Sequence, residues 1–174
     1  MKDLAEVVAT HIVDVPDFPI VGVTFKDITP LLQAPDAFRA VIDGIADAYR
    51  GSVDTVAGIE SRGFLFGAAL AYSLEVPLVL VRKAGKLPRE THGVSYDLEY
   101  GSATIEIHQD AIVEGARVLL IDDVLATGGT AAAAASLVEQ AGGSVADIVV
   151  ILELSFLGGR RLLADRGVTP LLTV

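Results

Sequence analysis

Residues Leu119–Thr130 read LLIDDVLATGGT. The apolar run Val118–Ile121 ends in two adjacent carboxylates, Asp122 and Asp123, and a loop of small residues then leads into the Ala-rich stretch Gly129–Gln140. Arg117–Asp122 thus predicts a buried strand, and the stretch after the loop predicts a helix. A strand, a tight loop and a helix in that order form the building unit of a parallel α/β sheet.

The same alternation continues on both sides. Phe38, Val41, Ile42, Ile45 and Tyr49 form one helical stripe behind Pro35 and Asp36, which suit a helix start. Val53–Ile59 and Val76–Val81 have the length of buried strands, and the nearly all-apolar Gly63–Leu74 between them reads as a helix. Val145–Leu154 predicts a further strand, Leu157–Asp165 a helix, and Val168–Val174 a closing strand. Leu4, Val7, Val8 and Ile12 mark a short amphipathic helix. The segment holding Pro16, Pro19, Gly22 and Pro30 reads as a long ordered loop. Period-two alternation around Thr104, Glu106 and His108 predicts an antiparallel ribbon near residues 96–108. The expected architecture is α/β, a mainly parallel twisted sheet with helices on both faces.

At 174 residues the chain suits a single domain, 1–174, with a full hydrophobic core. It has no Cys, which excludes disulfide scaffolds, thiolate nucleophiles and Cys-type zinc sites and suits a reducing, cytoplasmic setting. Mean hydropathy is +0.54, yet Gly63–Leu74 is closed by Glu75 and Ile148–Gly159 is interrupted by Glu153. Both fall short of the roughly 20 apolar residues of a spanning helix, so no membrane association is expected. A net charge of -10 argues against a nucleic-acid partner by long-range repulsion. Against that background, Arg82, Lys83, Lys86 and Arg89 concentrate positive charge in one window.

In open α/β sheets, ligands lie beyond the carboxyl ends of the strands. The loop after Asp123 offers successive backbone N–H groups, the free N–H groups of a helix start, and the hydroxyls of Thr127 and Thr130, which together suit a phosphate. No Gly-Lys-Ser/Thr follows and the loop is not GxGxxG, so Walker-type and dinucleotide sites lose support. Two carboxylates beside a phosphate are tolerable if sugar hydroxyls or a divalent cation lie between, which points to a phosphorylated ribose with Mg²⁺ nearby. Ser61 lacks the Gly two residues earlier that a nucleophile elbow needs, since that position is Ile59. His11, His92 and His108 lie on scattered segments without ligand spacing.

VLLIDDVLATGGT resembles the phosphoribosyl-pyrophosphate (PRPP) signature of the type I phosphoribosyltransferases. FPIVGVTFKDITPLL (18–32), GIESRGFLFGAALA (58–71) and VRKAGKLPRETHGVSYDLEYGSATIEIH (81–108) resemble the adenine-using purine branch of that family, in the family's order and over nearly the whole chain. The resemblance implies the type I phosphoribosyltransferase fold, with a small hood over about residues 14–32 and a flexible antiparallel lid over about 84–103. It implies transfer of the 5-phosphoribosyl group from PRPP to adenine with Mg²⁺, giving AMP and pyrophosphate in purine salvage, by a homodimer. The alternatives are another purine base, hypoxanthine or xanthine, and a non-catalytic PRPP- or nucleotide-binding regulator.

The family roles carry over residue by residue. Ala126, Thr127, Gly128, Gly129 and Thr130 would cradle the 5'-phosphate. Asp122 and Asp123 would hold the ribose hydroxyls and, through PRPP and water, Mg²⁺, with no direct protein ligand to the metal. Displacement builds positive charge on the sugar, so fixed carboxylates are useful there. Ser61, Arg62, Arg82, Lys83 and Lys86 would meet pyrophosphate, and Gly85 and Gly93 would hinge the lid that excludes water. Glu99 is the candidate for proton handling at purine N7. Thr24 and Lys26 would offer backbone groups to the adenine edge, with Phe25 and Leu154 sandwiching the ring. Val21 and Lys26 depart from the Pro and Arg found at these positions in many members.

Overall fold

Successive side chains of the strand Arg117–Leu125 enter opposite cores. Val118 and Leu120 pack on one side of the sheet, Leu119 and Ile121 on the other. A strand covered on both faces has no wet side, which is why this stretch reads as a continuous apolar run. The computed structural model describes residues 4–97, 101–163 and 166–174.

In chain order the elements are α1 (Leu4–Ala9), β1 (Val13–Pro16), β2 (Thr24–Asp27), α2 (Thr29–Gln33), α3 (Pro35–Tyr49), β3 (Thr55–Ile59), α4 (Gly63–Leu74) and β4 (Leu78–Lys83). There follow β5 (Thr91–Asp97), β6 (Ser102–His108), β7 (Arg117–Leu125), α5 (Gly129–Gln140), β8 (Ser144–Glu153) and β9 (Val168–Thr173). Two 3-10 turns, Ser155–Leu157 and Gly159–Leu162, lie between the last two strands.

Seven strands form one sheet in the order β5-β6-β4-β3-β7-β8-β9. The pairs β3/β4, β3/β7, β7/β8 and β8/β9 are parallel, so their carboxyl ends share one edge. The α5 helix covers one face through Ala134, Leu137 and Val138. Helices α3 and α4 cover the other through Val41, Ile45, Phe66 and Leu70. Burying side chains of this size contributes about 1.5–3 kcal/mol each. Pro35 at the first turn of α3, with Asp36 beside it, starts that helix where the sequence predicts.

Four readings change in the structure. The Pro-rich segment after α1 contains a two-stranded hairpin, β1 with β2, and the short α2. The hairpin has only four residue pairs, with Pro16 at its end, where a missing N–H is tolerated. The ribbon begins earlier than predicted, with β5 and β6 paired from Thr91/His108 to Asp97/Ser102. Leu157–Asp165 does not form an α-helix: among its described residues it continues as 3-10 turns, because Gly158 and Gly159 interrupt it. Finally, β4 is buried on one side only, with Leu78 and Leu80 exposed.

Candidate active site

The shared carboxyl edge gathers the ends of β3, β4, β7 and β8 around a cavity of about 680 Å³. Glu60, Ser61 and Arg62 enter it from the turn after β3, where the Glu60–Ser61 peptide is cis. Helix α4 starts directly against β7: a Cβ on Gly63 would lie 2.7 Å from the Ile121 carbonyl oxygen and 3.0 Å from Asp122 Oδ1. Only glycine permits that approach, and it fixes the 60–62 turn beside the acidic pair. Ser61 is not the N-cap of α4; Arg62 occupies that position without a side-chain cap.

Asp122 and Asp123 both line the cavity. The Asp122 Oδ1 atom accepts the Asp123 backbone N–H at 2.8 Å. Asp122 keeps part of its surface open to the cavity, yet protein atoms crowd the carboxyl, and this burial with the neighbouring Asp123 charge holds its pKa well above the ordinary aspartate value. Asp123 is only 7% exposed at its side chain, and its Oδ2 lies 2.5 Å from Arg62 Nε. That contact is an ion pair outside directed hydrogen-bond geometry, so Oδ2 is a buried acceptor without a hydrogen-bond donor. Such an atom is costly unless a partner arrives.

Beyond the pair, Ala126 and Thr130 face the main cavity. Thr127 and Gly128 line a smaller recess of about 80 Å³ that also touches Asp122 and Thr130. Gly128 has φ 86 and serves as the N-cap residue of α5, whose first turn begins at Gly129. The predicted cradle 126–130 is therefore continuous with the acidic pair.

The hood supplies Thr24, Phe25 and Lys26 to the same cavity, and Leu154 faces it from the end of β8. Phe25 packs edge-on against Phe18, with ring centroids 5.2 Å apart. The Arg62 guanidinium lies 5.3 Å from the Phe25 ring centroid, so one side chain spans from the hood to Asp123. The Lys26 ammonium is turned to the Asp14 carboxylate at 2.7 Å, which leaves its backbone as the group available to a ligand.

The basic window divides. Lys83 lines the cavity. Arg82 donates to Glu60 Oε2 at 3.2 Å and to the Lys86 carbonyl at 3.3 Å, and lies over Phe64. Glu60 also accepts the Lys83 backbone N–H at 3.0 Å, and that bond, with the Arg82 charge, keeps its carboxyl below the usual range. Lys86 is exposed at the start of the lid. Glu99 lies outside the described residues. The sequence reading missed Tyr96, Ala103 and Ile105, which reach the cavity from β5 and β6. A Tyr in a strand otherwise fit for solvent was the available signal.

Comparison with known proteins bears on this geometry. A family model described as a phosphoribosyl transferase domain matches residues 26–165. A Salinispora arenicola protein named adenine phosphoribosyltransferase is 60% identical over 174 residues, covering 99% of this chain and 93% of its own. The crystal structure of adenine phosphoribosyltransferase from Thermoanaerobacter pseudethanolicus superimposes with a TM-score of 0.93 at 49% identity, covering 98% of this chain and 99% of the other. The Saccharomyces cerevisiae enzyme, complexed with D-2,5-dideoxy-2,5-imino-altritol 1,6-bisphosphate and adenine, gives 0.93 at 40% identity, covering 99% of this chain and 100% of the other.

Proposed function

This chain belongs to the phosphoribosyltransferase family, among the adenine phosphoribosyltransferases, and from that premise we propose how its cavity performs the reaction. The enzyme transfers the 5-phosphoribosyl group from PRPP to adenine and releases AMP and pyrophosphate. The observation that carries the assignment of roles is the Asp123–Arg62 pair: both residues line the same cavity as the hood and the small-residue loop, and the buried Asp123 Oδ2 meets Arg62 as an ion pair without a directed hydrogen-bond donor.

A ribose hydroxyl donating to Asp123 Oδ2 satisfies that oxygen. The 5'-phosphate then falls on the backbone N–H groups of 126–130 and the start of α5. As the bond to pyrophosphate breaks, positive charge grows on the sugar, and the fixed negative charge of Asp123 beside it is worth more in the transition state than in the ground state. Arg62, Lys83 and the Ser61 turn receive the leaving pyrophosphate, and Arg82 fixes the turn through Glu60. Arg62 reaches Asp123 and would exchange that partner for pyrophosphate. Phe25 and Leu154 hold the purine ring, while the Thr24 and Lys26 backbone reads its edge. Glu99 is assigned to the proton at N7 on the resemblance alone.

Among the described residues no group of three or more His, Cys, Asp or Glu could hold a metal ion. The Asp122–Asp123 pair suits Mg²⁺ that carries its ligands as PRPP oxygens and water, with the carboxylates reached through water. Bound that way, Mg²⁺ would offset the charge of the pyrophosphate.

The apolar exposure of α4 and β4 supports a homodimer. Leu65, Tyr72, Leu78 and Leu80 are all exposed, Tyr72 at 88%. A Cβ on Gly67 would lie 3.3 Å from Leu78 Cδ1, so β4 runs directly against α4. Among the described residues no helix is long and apolar enough to cross a membrane. The Cys-free composition supports a cytoplasmic location.

The test is direct. Purified protein with PRPP and Mg²⁺ is given adenine, hypoxanthine, guanine or xanthine, and nucleotide and pyrophosphate are measured. Adenine alone should yield stoichiometric AMP and pyrophosphate; turnover of hypoxanthine with adenine inert would overturn the reading of the hood.

A further inference from the structure

Glu153 closes the apolar run of β8, and it is only 5% exposed. A carboxylate this far from water needs a cation and further donors to persist. Both are present. Arg160 presents a fork, with Nε to Oε1 at 2.6 Å and Nη2 to Oε2 at 2.9 Å, and Thr173 Oγ1 donates to Oε2 at 3.3 Å. The remaining Arg160 Nη1 donates to the Val168 carbonyl at 3.1 Å. This pair lines none of the cavity, and the reaction described above makes no use of it.

The span from Glu153 to Arg160 that the fork closes carries the Gly158-Gly159 step. Gly158 sits at φ 67, and Gly159 is buried. A Cβ on Gly159 would lie 2.3 Å from the Ala126 carbonyl oxygen and 3.0 Å from the Gly128 nitrogen. A Cβ on Gly128 would lie 2.2 Å from the Gly159 carbonyl oxygen. The backbone of the second 3-10 turn therefore rests directly on the loop 126–128, with no side chain between them. Glycine at both positions is what lets the chains meet.

We propose that Glu153 and Arg160 are positioning residues for the phosphate loop: their fork seats the 3-10 turn, and Gly159 transmits that position to Ala126–Gly128 by backbone contact. The inference rests on the reading of 126–130 as the 5'-phosphate site and names what holds that site in shape. Neither side chain touches substrate. Their effect falls chiefly on the phosphate end of the ligand, because Leu154, the neighbour that faces the purine, is held separately by its N–H to the Leu125 carbonyl at 2.9 Å.

The experiment measures ribose 5-phosphate affinity by calorimetry, KM for PRPP and for adenine, and thermal unfolding, in Glu153→Gln, Arg160→Lys, Gly159→Ala and Thr127→Ala. Misplacing binding groups by a fraction of an ångström to one ångström costs about tenfold to a hundredfold. Glu153→Gln and Gly159→Ala should weaken ribose 5-phosphate and raise the PRPP KM by that range, with the adenine KM within about twofold. Arg160→Lys keeps the charge and should fall between those variants and the natural protein. Gly159→Ala keeps both side chains of the buried pair, so it tests the contact even if Glu153→Gln is poorly folded. Natural affinity in folded Gly159→Ala overturns the proposal, as does equal loss for both substrates. If Thr127→Ala weakens ribose 5-phosphate while Glu153→Gln and Gly159→Ala do not, the proposal fails and the phosphate site stands. If Thr127→Ala also has no effect, the phosphate site itself is wrong and the proposal falls with it.

Discussion

The Thr130 hydroxyl donates to the Tyr96 hydroxyl at 3.0 Å, and the Tyr96 ring comes within 3.0 Å of where a Cβ on Gly129 would stand. The lid strand β5 is thus bonded to the first turn of α5, at the edge of the phosphate loop. Thr130 has one hydrogen to give. When a phosphate takes it, Tyr96 can turn its own O–H toward Thr130, and the two hydroxyls then act in series, each polarising the next. Tyr96→Phe should therefore weaken ribose 5-phosphate binding by about two- to fivefold, the equivalent of about 0.5–1 kcal/mol for one neutral hydrogen bond. Calorimetric titration checks this, and unchanged or tighter binding would refute the relay.

Asp123→Asn keeps the shape of the side chain and removes its charge. The ion pair to Arg62 is lost, and so is the negative charge beside the developing sugar cation. By comparison with the loss of a single preorganised electrostatic group, kcat/KM should drop by about 10²–10³-fold while the fold is kept. Steady-state kinetics beside circular dichroism measure both. Kinetics equal to those of the natural protein would remove Asp123 from the mechanism.

Asp122 makes a prediction about stability rather than rate. Its native pKa is raised by burial and by Asp123. In the unfolded chain it ionises near about 3.9. Between that pH and the native value the folded state holds a proton that the unfolded state has released, so stability from this group falls as pH rises through the window. Asn at 122 cannot ionise and retains the Oδ1 acceptor for the Asp123 N–H. At pH 8 Asp122→Asn should melt about 2–4 °C above the natural protein, the shift that about 1 kcal/mol produces in a chain of this size. The two curves should converge toward pH 4. Thermal melts across that range test the sign, and a gap that widens on acidification would contradict it.

The acidic pair and its loop were legible in the sequence because one continuous stretch, Leu119–Thr130, contains the strand, the carboxylates and the small residues. The helix after them begins at Gly129 and ends at Gln140 as the composition predicts. Long-range relations were less visible. Glu153 and Arg160 lie seven residues apart with no periodic pattern to link them, and the only signal was a charge ending an apolar strand. The hood hairpin was hidden by prolines, which forbid central strands but not edge strands. The reading of β4 as fully buried failed for a different reason. Leu78 and Leu80 are as apolar as core residues, yet the described residues leave them 37% and 38% exposed.

That uncovered strand leads to a prediction about assembly. Leu65 and Tyr72 are exposed on α4 and Leu78 and Leu80 on the β4 strand packed against it, and a helix apolar on nearly every side is expected to be buried on every side. A second copy of the chain packing on this face would remove all four side chains from water. Placing a carboxylate there strands an unpaired charge in the interface, at several kcal/mol per ion. The natural protein should sediment as a dimer and Tyr72→Glu with Leu80→Glu as a monomer at the same concentration, with the dissociation constant raised at least about a hundredfold. An unchanged sedimentation coefficient would move the interface elsewhere. The substituted side chains project away from the core, so far-ultraviolet circular dichroism should keep its native shape, which separates loss of assembly from loss of fold.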